Sequence, residues 1–100
     1  MKLLTQELRT QLPKLYAQEQ SSDPLVYVKF FLPFTEWHWY ATEFDGKYTF
    51  FGWVYGSYPE LGYFSLSELE SVRGPYGLPI ERDSGFTPTP LSTVKRSHDL

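Results

Sequence analysis

The hydrophobic pattern first predicts a helix near the N-terminus. Leu4, Leu8 and Leu12 recur at helical spacing, and Thr5 stands where a side-chain hydroxyl can cap the first turn. We therefore predict a helix over residues 5–12. The polar stretch that follows it predicts a linker.

A Ser-x-x-Glu capping box predicts a second helix beyond the middle of the chain. The hydroxyl of Ser65 can accept a hydrogen bond from the amide of Glu68 and so satisfy a free donor of the first turn. This motif opens a short helix over about residues 67–73. Gly74 is expected in a left-handed conformation after it, and Pro75 prevents the helix from resuming.

Elsewhere the hydrophobic residues alternate with period two, which predicts strands. The predicted strands occupy residues 25–32, 36–44 and 47–56, a short segment near 62–64, and an edge strand at 78–83. Asp45 and Gly46 form a strong hairpin signal, because glycine tolerates the positive φ of a type I′ turn. The pattern predicts a single α+β domain, an antiparallel β-meander of about four to five strands with two short helices.

A two-residue loop at Asp45-Gly46 would fix which strand residues face each other. Trp39 then lies opposite Gly52, and Tyr40 lies opposite Phe51. One face of the hairpin, predicted to be core, carries Trp37, Trp39, Ala41, Phe50 and Val54. The second face carries His38, Tyr40, Phe51, Trp53 and Tyr55. We expect one of the two predicted helices to cover part of this second face, and one end to stay open for a partner.

Composition and charge set the middle of the chain apart. The 100-residue chain contains 19 aromatic residues, and sixteen of them lie between Tyr27 and Phe64. From residue 33 to residue 72, Lys47 is the only basic residue, against Glu36, Glu43, Asp45, Glu60, Glu68 and Glu70. Because nucleic-acid-binding proteins ordinarily present a basic surface, direct nucleic-acid binding is not expected.

Several kinds of site lack the residues they need. The chain has no Cys, and its two histidines, His38 and His98, match no familiar metal-ligand spacing, so we predict no metal and no cofactor. No apolar run reaches 18 residues and no secretory signal is present, so we expect no membrane span and a cytoplasmic location. The polar residues 92–100 are expected to form a frayed tail behind a globular domain of residues 1–91.

Several motifs resemble, in one order, those of a family of small bacterial proteins of unknown function. The motifs are Tyr27-Val28-Lys29-Phe30-Phe31, Trp39-Tyr40-Ala41-Thr42-Glu43-Phe44-Asp45-Gly46, Phe51-Gly52, Glu60-Leu61-Gly62-Tyr63-Phe64-Ser65-Leu66-Ser67-Glu68-Leu69 and Gly77-Leu78-Pro79-Ile80-Glu81-Arg82-Asp83. The resemblance covers about residues 3–91, and the tail from Ser92 is peculiar to this chain. Members of that family are typically encoded on plasmids, phages and integrative elements. The resemblance therefore implies an accessory protein of mobile genetic elements, and it assigns no catalytic residue.

The leading functional hypothesis is a non-enzymatic protein-binding module that presents the aromatic second face with an acidic rim. The candidate binding residues are Glu36, His38, Tyr40, Glu43, Asp45, Phe51, Trp53 and Tyr55. The partner would be an unknown host or element-encoded protein. Direct contact with nucleic acid or membrane is not expected.

Two alternatives of other classes stay open. The negative charge of residues 33–72 also suits a DNA-mimicking inhibitor of host restriction or defence systems. His38 with the carboxylates of Glu43, Asp45 and Glu60 suits a small hydrolase or ligand-binding domain, because carboxylates among aromatic side chains can have raised pKa values. Catalysis is less favoured because acidic residues are common beside turns for conformational reasons.

Overall fold

Seven strands and three α-helices form the fold of residues 2–99, which the computed structural model describes; Met1 and Leu100 lie outside the described residues. In chain order the elements are α1 (Gln6–Gln11), β1 (Leu25–Val26), β2 (Val28–Phe31), β3 (His38–Phe44), β4 (Thr49–Tyr55), β5 (Glu60–Ser65), α2 (Leu66–Ser71), a 3₁₀ turn (Pro75–Gly77), β6 (Glu81–Arg82), β7 (Thr89–Pro90) and α3 (Leu91–Ser97). The radius of gyration, 12.8 Å, fits a single domain of this length. The predicted α+β class is confirmed.

The main sheet has five antiparallel strands in the order β5-β4-β3-β2-β6, and a separate two-stranded ribbon pairs β1 with β7. Strands β2 to β5 are consecutive neighbours, as expected for a meander. The edge strand predicted over residues 78–83 is present as the two-residue strand β6. The strand predicted over residues 25–32 is interrupted at Tyr27, whose amide donates to the carbonyl of Ala41, and β1 leaves the main sheet for the ribbon.

Side-chain caps begin α1 and α2 where the sequence predicted them. The Thr5 hydroxyl accepts a hydrogen bond from the Leu8 amide at 3.1 Å, and the Ser65 hydroxyl accepts one from the Glu68 amide at 3.1 Å. The expected left-handed conformation of Gly74 is wrong, because its φ is −105°. A side chain at Gly74 would collide with the Leu32 side chain, so close packing explains this glycine.

The connection between β3 and β4 is longer than the predicted two-residue turn. The Asp45 carboxylate accepts hydrogen bonds from the amides of Lys47, Tyr48 and Thr49 at 2.8, 2.9 and 3.0 Å. The amide of Asp45 in turn donates to the carbonyl of Thr49 at 2.8 Å. These bonds fold four residues into the loop, and Gly46 has the positive φ of 92° that the sequence predicted.

The longer loop changes the register but keeps the two faces. Tyr40 lies opposite Trp53 and not opposite the predicted Phe51, and the pairing of Trp39 with Gly52 is wrong for the same reason. The partners on β4 have moved by two residues. Because side chains alternate with period two, each predicted face keeps its β4 members.

A bulge between Ala41 and Glu43 interrupts the register at the end of β3. Beyond it Phe44, only 2% exposed, joins the first-face core, and Glu43 points to the second face. Trp37, predicted to be core, instead precedes β3 and is 39% exposed, with its ring stacked 5.7 Å from that of Trp39. The bulge therefore places the carboxylate of Glu43 on the second face.

The sheet separates two hydrophobic clusters. The first-face cluster includes Leu4, Leu12, Phe30, Ala41, Phe44, Phe50, Phe64, Leu69 and Ile80, with Leu8 and Leu66 packed against it. The second-face cluster is Val26, Tyr40, Trp53, Leu91 and Val94, with Tyr55 and Phe86 packed against it. Because α1 and α2 both pack on the first face, the expectation that one of them covers the second face is wrong.

Helix α3 covers the second face, where the sequence led us to expect a frayed tail. Leu91 and Val94 are 5% and 4% exposed, one helical turn apart. The Asp23 carboxylate, in the segment before β1, accepts hydrogen bonds from the amide of Ser92 at 2.9 Å and from its hydroxyl at 2.6 Å. The described part of residues 92–100 is therefore anchored by burial and by a distant cap.

Candidate functional site

The centre of the predicted aromatic face is covered. Tyr40 and Trp53 are 2% and 7% exposed, packed with Leu91 and Val94 of α3. These two residues therefore belong to the core, which corrects their assignment as residues that contact a partner. The Lys95 ammonium group lies 5.7 Å from the centre of the Trp53 ring, as a further contact from α3.

His98, to which the sequence analysis gave no role, closes over the same face. Its ring is stacked on that of Tyr55, with centroids 3.9 Å apart, and its Nε2 lies 2.6 Å from the hydroxyl of Tyr40. The His38 ring lies 5.1 Å away in an edge-on arrangement. Burial, together with the charge of Asp83, raises the pKa of Tyr40 to about 12, so its phenol stays neutral at physiological pH.

His38 borders an open depression of about 490 Å³ that Lys29, Phe31, Glu81, Arg82, Asp83 and Ser84 also line. Burial, helped by the Lys29 charge, lowers the pKa of His38 to about 4, so the imidazole is neutral at pH 7. Its Nδ1 is buried without a hydrogen-bond partner in the described part of the chain. The catalytic carboxylates suggested by the sequence, Glu43, Asp45 and Glu60, do not line this depression. The structure therefore separates those three carboxylates from His38, and the carboxylates that share its depression are those of Glu81 and Asp83.

An open end of the second face forms a cleft of about 380 Å³, called the Tyr63 cleft below. Its apolar lining includes Tyr16, Phe51, Leu61 and Tyr63, and three of these, Tyr16, Leu61 and Tyr63, are 62%, 51% and 57% exposed. The rings of Phe51 and Tyr63 meet edge to face at 5.0 Å. The Tyr63 hydroxyl donates to the Tyr16 hydroxyl at 3.5 Å, so the cleft has aromatic walls on both sides.

Glu43 builds one wall of the Tyr63 cleft. Its two carboxylate oxygens accept hydrogen bonds from the backbone amides of Tyr16 and Gln18, both at 2.8 Å. Glu43 is only 5% exposed, so these amides replace the water that a buried carboxylate would lose. Tyr16 has the uncommon φ of 72°, which turns the chain so that both amides face the carboxylate.

Gln18 fastens the same segment to the strands. Its Nε2 donates to the carbonyls of Leu25 and Thr42, both at 2.9 Å, and its Oε1 accepts from the amide of Leu25 at 2.7 Å. With the bonds to Glu43, these contacts hold the cleft wall on the sheet without a ligand. The cleft is therefore preformed.

The predicted acidic rim is not continuous. Glu36 is exposed before β3, Glu43 lies in the Tyr63 cleft, and Asp45 is exposed in the β3–β4 loop. Partial burial opposes ionisation of Asp45, but the hydrogen bonds from the amides of Thr49, Lys47 and Tyr48 outweigh it and lower its pKa. Asp45 therefore stabilises the conformation of the β3–β4 loop.

Of the eight candidate binding residues, the structure brings only Glu43 and Phe51 together in the Tyr63 cleft. Sequence reasoning missed the three exposed residues of its lining, Tyr16, Leu61 and Tyr63. Alternation within β5 places Leu61 and Tyr63 on one face and was a usable signal. Tyr16 gave no such signal, because its position depends on a loop conformation that Glu43 fixes from 27 residues away.

Two kinds of feature are not found in the residues that the structure describes. Among residues 2–99, no three His, Cys, Asp or Glu side chains come together in a way that could hold a metal ion. No helix in that range is long and apolar enough to cross a membrane.

Residues 3–97 match the model of a family described as "Protein of unknown function (DUF2958)". The matched range includes α3, so the segment from Ser92 to Ser97 is not peculiar to this chain. Neither the curated proteins nor the solved structures yield a significant match.

Proposed function

This chain belongs to the DUF2958 family of proteins of unknown function, and we propose that it is a non-enzymatic module that binds another protein through the Tyr63 cleft. The cleft replaces the centre of the aromatic face as the binding surface, because α3 covers that centre. The binding role inferred from the sequence is kept, with a different set of contact residues.

One observation supports the proposal most directly. The side chains of Tyr16, Leu61 and Tyr63 are exposed to solvent around a preformed cleft. The neighbouring aromatic residues Tyr40 and Trp53 are instead covered by α3. Exposed apolar surface of this kind is typical of sites that a partner buries, and tyrosine is enriched at such sites. Because hydrogen bonds already hold the wall of the cleft on the sheet, binding a partner also costs little conformational entropy.

The charged groups of the cleft suit binding better than catalysis. The Glu43 carboxylate accepts hydrogen bonds at both oxygens from backbone amides, so it is engaged in holding the loop. No histidine lines the cleft; His38 and His98 lie elsewhere on the second face. Among residues 2–99, the cleft therefore lacks the histidine that most often serves as a general base, and its buried carboxylate, Glu43, holds the loop.

The biological setting is also part of the proposal. The family resemblance described above implies accessory proteins of bacterial mobile genetic elements. We therefore propose that the partner is a host or element-encoded protein met in the cytoplasm, where a chain without cysteine needs no oxidising compartment.

Photo-cross-linking in the cells that make this chain tests the proposal. A benzophenone amino acid replaces Leu61, and the matched control carries it at Tyr76, which is 87% exposed and does not line the cleft. We expect a protein adduct of defined mass from position 61 and none from position 76. Adding the change Tyr63→Ser should lower the adduct yield about tenfold, because a buried aromatic contact contributes about 1–3 kcal/mol to such interfaces.

The outcomes separate binding at the cleft from binding elsewhere. No adduct at position 61, or equal adducts at positions 61 and 76, would contradict the proposal. Mass spectrometry of a specific adduct names the partner.

A further inference from the structure

The two edges of the main sheet differ in how they resist pairing with another strand. Edge strand β6 has only two residues, Glu81 and Arg82, and both are charged. Edge strand β5 has six residues in regular register with β4, without bulge or proline, and Glu60 is its only charged residue. Proteins usually shorten, charge, bend or cover their sheet edges. The edge at β6 follows this rule, and the edge at β5 does not.

Alternate backbone groups of β5 point away from the sheet. The amide of Leu66 donates to the carbonyl of Tyr48 at 2.7 Å, so the even-numbered residues of the antiparallel pair are the ones that bond to β4. The amide and carbonyl groups of Leu61 and Tyr63 therefore face the free edge, as does the amide of Ser65. Within residues 2–99, no backbone hydrogen bond from outside the sheet reaches Leu61 or Tyr63. The carbonyl of Ser65 is used by α2, because the carbonyl of an N-cap residue accepts the first hydrogen bond of its helix.

One acidic residue lies on this edge strand and two more line the cleft next to it. Glu60 begins β5, and Glu19 and Glu43 line the Tyr63 cleft beside it. The hydrogen bond to Tyr16 raises the pKa of the Tyr63 phenol, and the charges of Glu43 and Glu19 add to the effect. Their field therefore extends to the residue at the centre of the strand.

We propose that β5 is a docking strand onto which a partner protein adds an extended segment containing lysine or arginine. This inference rests on the proposed function, since the same partner occupies the Tyr63 cleft. The added strand would lie about 4.8 Å from β5 and bond to the outward groups of Leu61 and Tyr63 and to the amide of Ser65. Its alternate side chains would stand on the second face beside Leu61 and Tyr63, at the mouth of the cleft. Main-chain bonds give the affinity, and the cleft with its acidic groups selects the sequence.

Charge also favours this occupant over a second copy of the chain. Pairing two β5 strands would bring together two copies of region 33–72, which has one basic and six acidic residues. Like charges so close to an interface oppose association. Among the residues that the structure describes, Lys95 is the only basic one that lines the cleft, and its ammonium group already lies over Trp53.

The experiment uses the full chain as bait for a displayed library of random 12-residue peptides. We expect enriched sequences with lysine or arginine in excess over the starting library and without proline at their centre. Synthetic versions of these peptides should slow hydrogen exchange of the Leu61, Tyr63 and Ser65 amides. Raising salt should weaken their binding, because opposite charges contribute to it.

Two variants separate strand pairing from side-chain contact. Leu61→Pro removes an outward amide that β4 does not use, and Leu61→Ala keeps that amide while losing the same side chain. We expect the peptides to bind at least about tenfold more weakly to Leu61→Pro than to Leu61→Ala. Only the proline variant loses a backbone hydrogen bond to the added strand and changes the backbone of the edge. A second test alters the peptide and leaves the protein unchanged. Methylation of the alternate peptide amides that would face β5 should abolish binding, because those amides could no longer donate hydrogen bonds to the strand.

Each contrary result has its own meaning. Peptides that bind equally to both variants, and whose N-methylation has no effect, would overturn strand addition but leave the cleft as the binding site. Enriched peptides without basic residues would overturn the proposed partner chemistry. A dimer seen by sedimentation and lost in Leu61→Pro would identify a second copy as the occupant. Failure of the proposed function itself is seen separately, as absence of the cross-link from position 61.

Discussion

The hydroxyl of Tyr40 in β3 lies 2.6 Å from Nε2 of His98, the C-cap residue that follows α3, although 58 positions separate them in the chain. This contact joins the last helix to the centre of the sheet. It also explains why the aromatic second face is not a free surface, since the imidazole stacks on Tyr55 as well. The end of the chain therefore decides how much of the aromatic sheet is available to a partner.

Replacing His98 with alanine should destabilise the protein. The change removes the hydrogen bond to Tyr40 and the stacking on Tyr55, and we expect the free energy of unfolding to fall by about 1–3 kcal/mol. His98→Phe should lose less, because a phenyl ring keeps the stacking. Urea unfolding measures the effect, with the neighbouring exposed residue changed as Asp99→Ala for comparison. Equal losses in His98→Ala and Asp99→Ala would show that α3 does not depend on this contact.

Stability should fall when the pH is lowered from 7 to 5. Burial lowers the pKa of His38 to about 4 and also lowers the pKa of His98, whereas both are near 6.5 in the unfolded chain. The unfolded state therefore binds more protons in this range, and the stability that is complete above pH 6.5 is lost as the pH falls toward 4. With solvent screening of the half-exposed ring, we expect a loss of about 1–2 kcal/mol from His38.

Urea unfolding at several pH values and an NMR titration of both imidazoles measure this effect. The carboxylates with lowered pKa values, Asp23 and Asp45, lose their contribution only at lower pH, so they do not obscure the range from 7 to 5. His38→Phe should flatten the pH dependence. Imidazole midpoints near 6.5 in the folded protein would be inconsistent with the described burial.

Local sequence signals predicted the elements of this fold well, and long-range contacts account for what they missed. The caps at Thr5 and Ser65 lie within three residues of the amides they bind, so the sequence alone identifies both helices. The two faces of the hairpin also follow from alternation. By contrast, the carboxylate of Asp45 sets the length of the turn by accepting hydrogen bonds from three backbone amides. The Asp-Gly dipeptide indicates a turn but does not indicate these three bonds.

The candidate site depended almost wholly on contacts that sequence spacing does not show. Leu91 and Val94 have helical spacing, but their helix is capped by Asp23, which is 69 residues from Ser92. Without that partner, a polar segment at the end of a chain is expected to fray. The same holds for the Tyr63 cleft, whose loop is held by a carboxylate from another element.

Glu43→Gln should loosen the loop that forms the cleft wall. An amide can accept from only one of the Tyr16 and Gln18 amides, and its NH₂ group would face the other donor. We expect the free energy of unfolding to fall by about 1.5–3 kcal/mol, as for lost hydrogen bonds to a charged group. Hydrogen exchange should accelerate at the two amides. Glu36→Gln, at an exposed position, is the control; similar exchange in both variants would mean that Glu43 does not hold the loop.

Gly52 and Gly62 lie opposite each other in β4 and β5 but should respond differently to alanine. A Cβ atom at Gly52 would overlap the backbone carbonyl of Tyr40, and the backbone cannot yield there without separating β3 from β4. A Cβ atom at Gly62 meets nothing within 4 Å. We expect Gly52→Ala to lose about 3 kcal/mol or more, and Gly62→Ala to change stability by less than about 1 kcal/mol. Thermal and urea unfolding of both variants measure the difference, and equal stabilities would show that β3 and β4 do not approach as closely as described. Because Gly62 lies between Leu61 and Tyr63, an unchanged fold in Gly62→Ala also makes it the natural background for testing β5 as a docking strand.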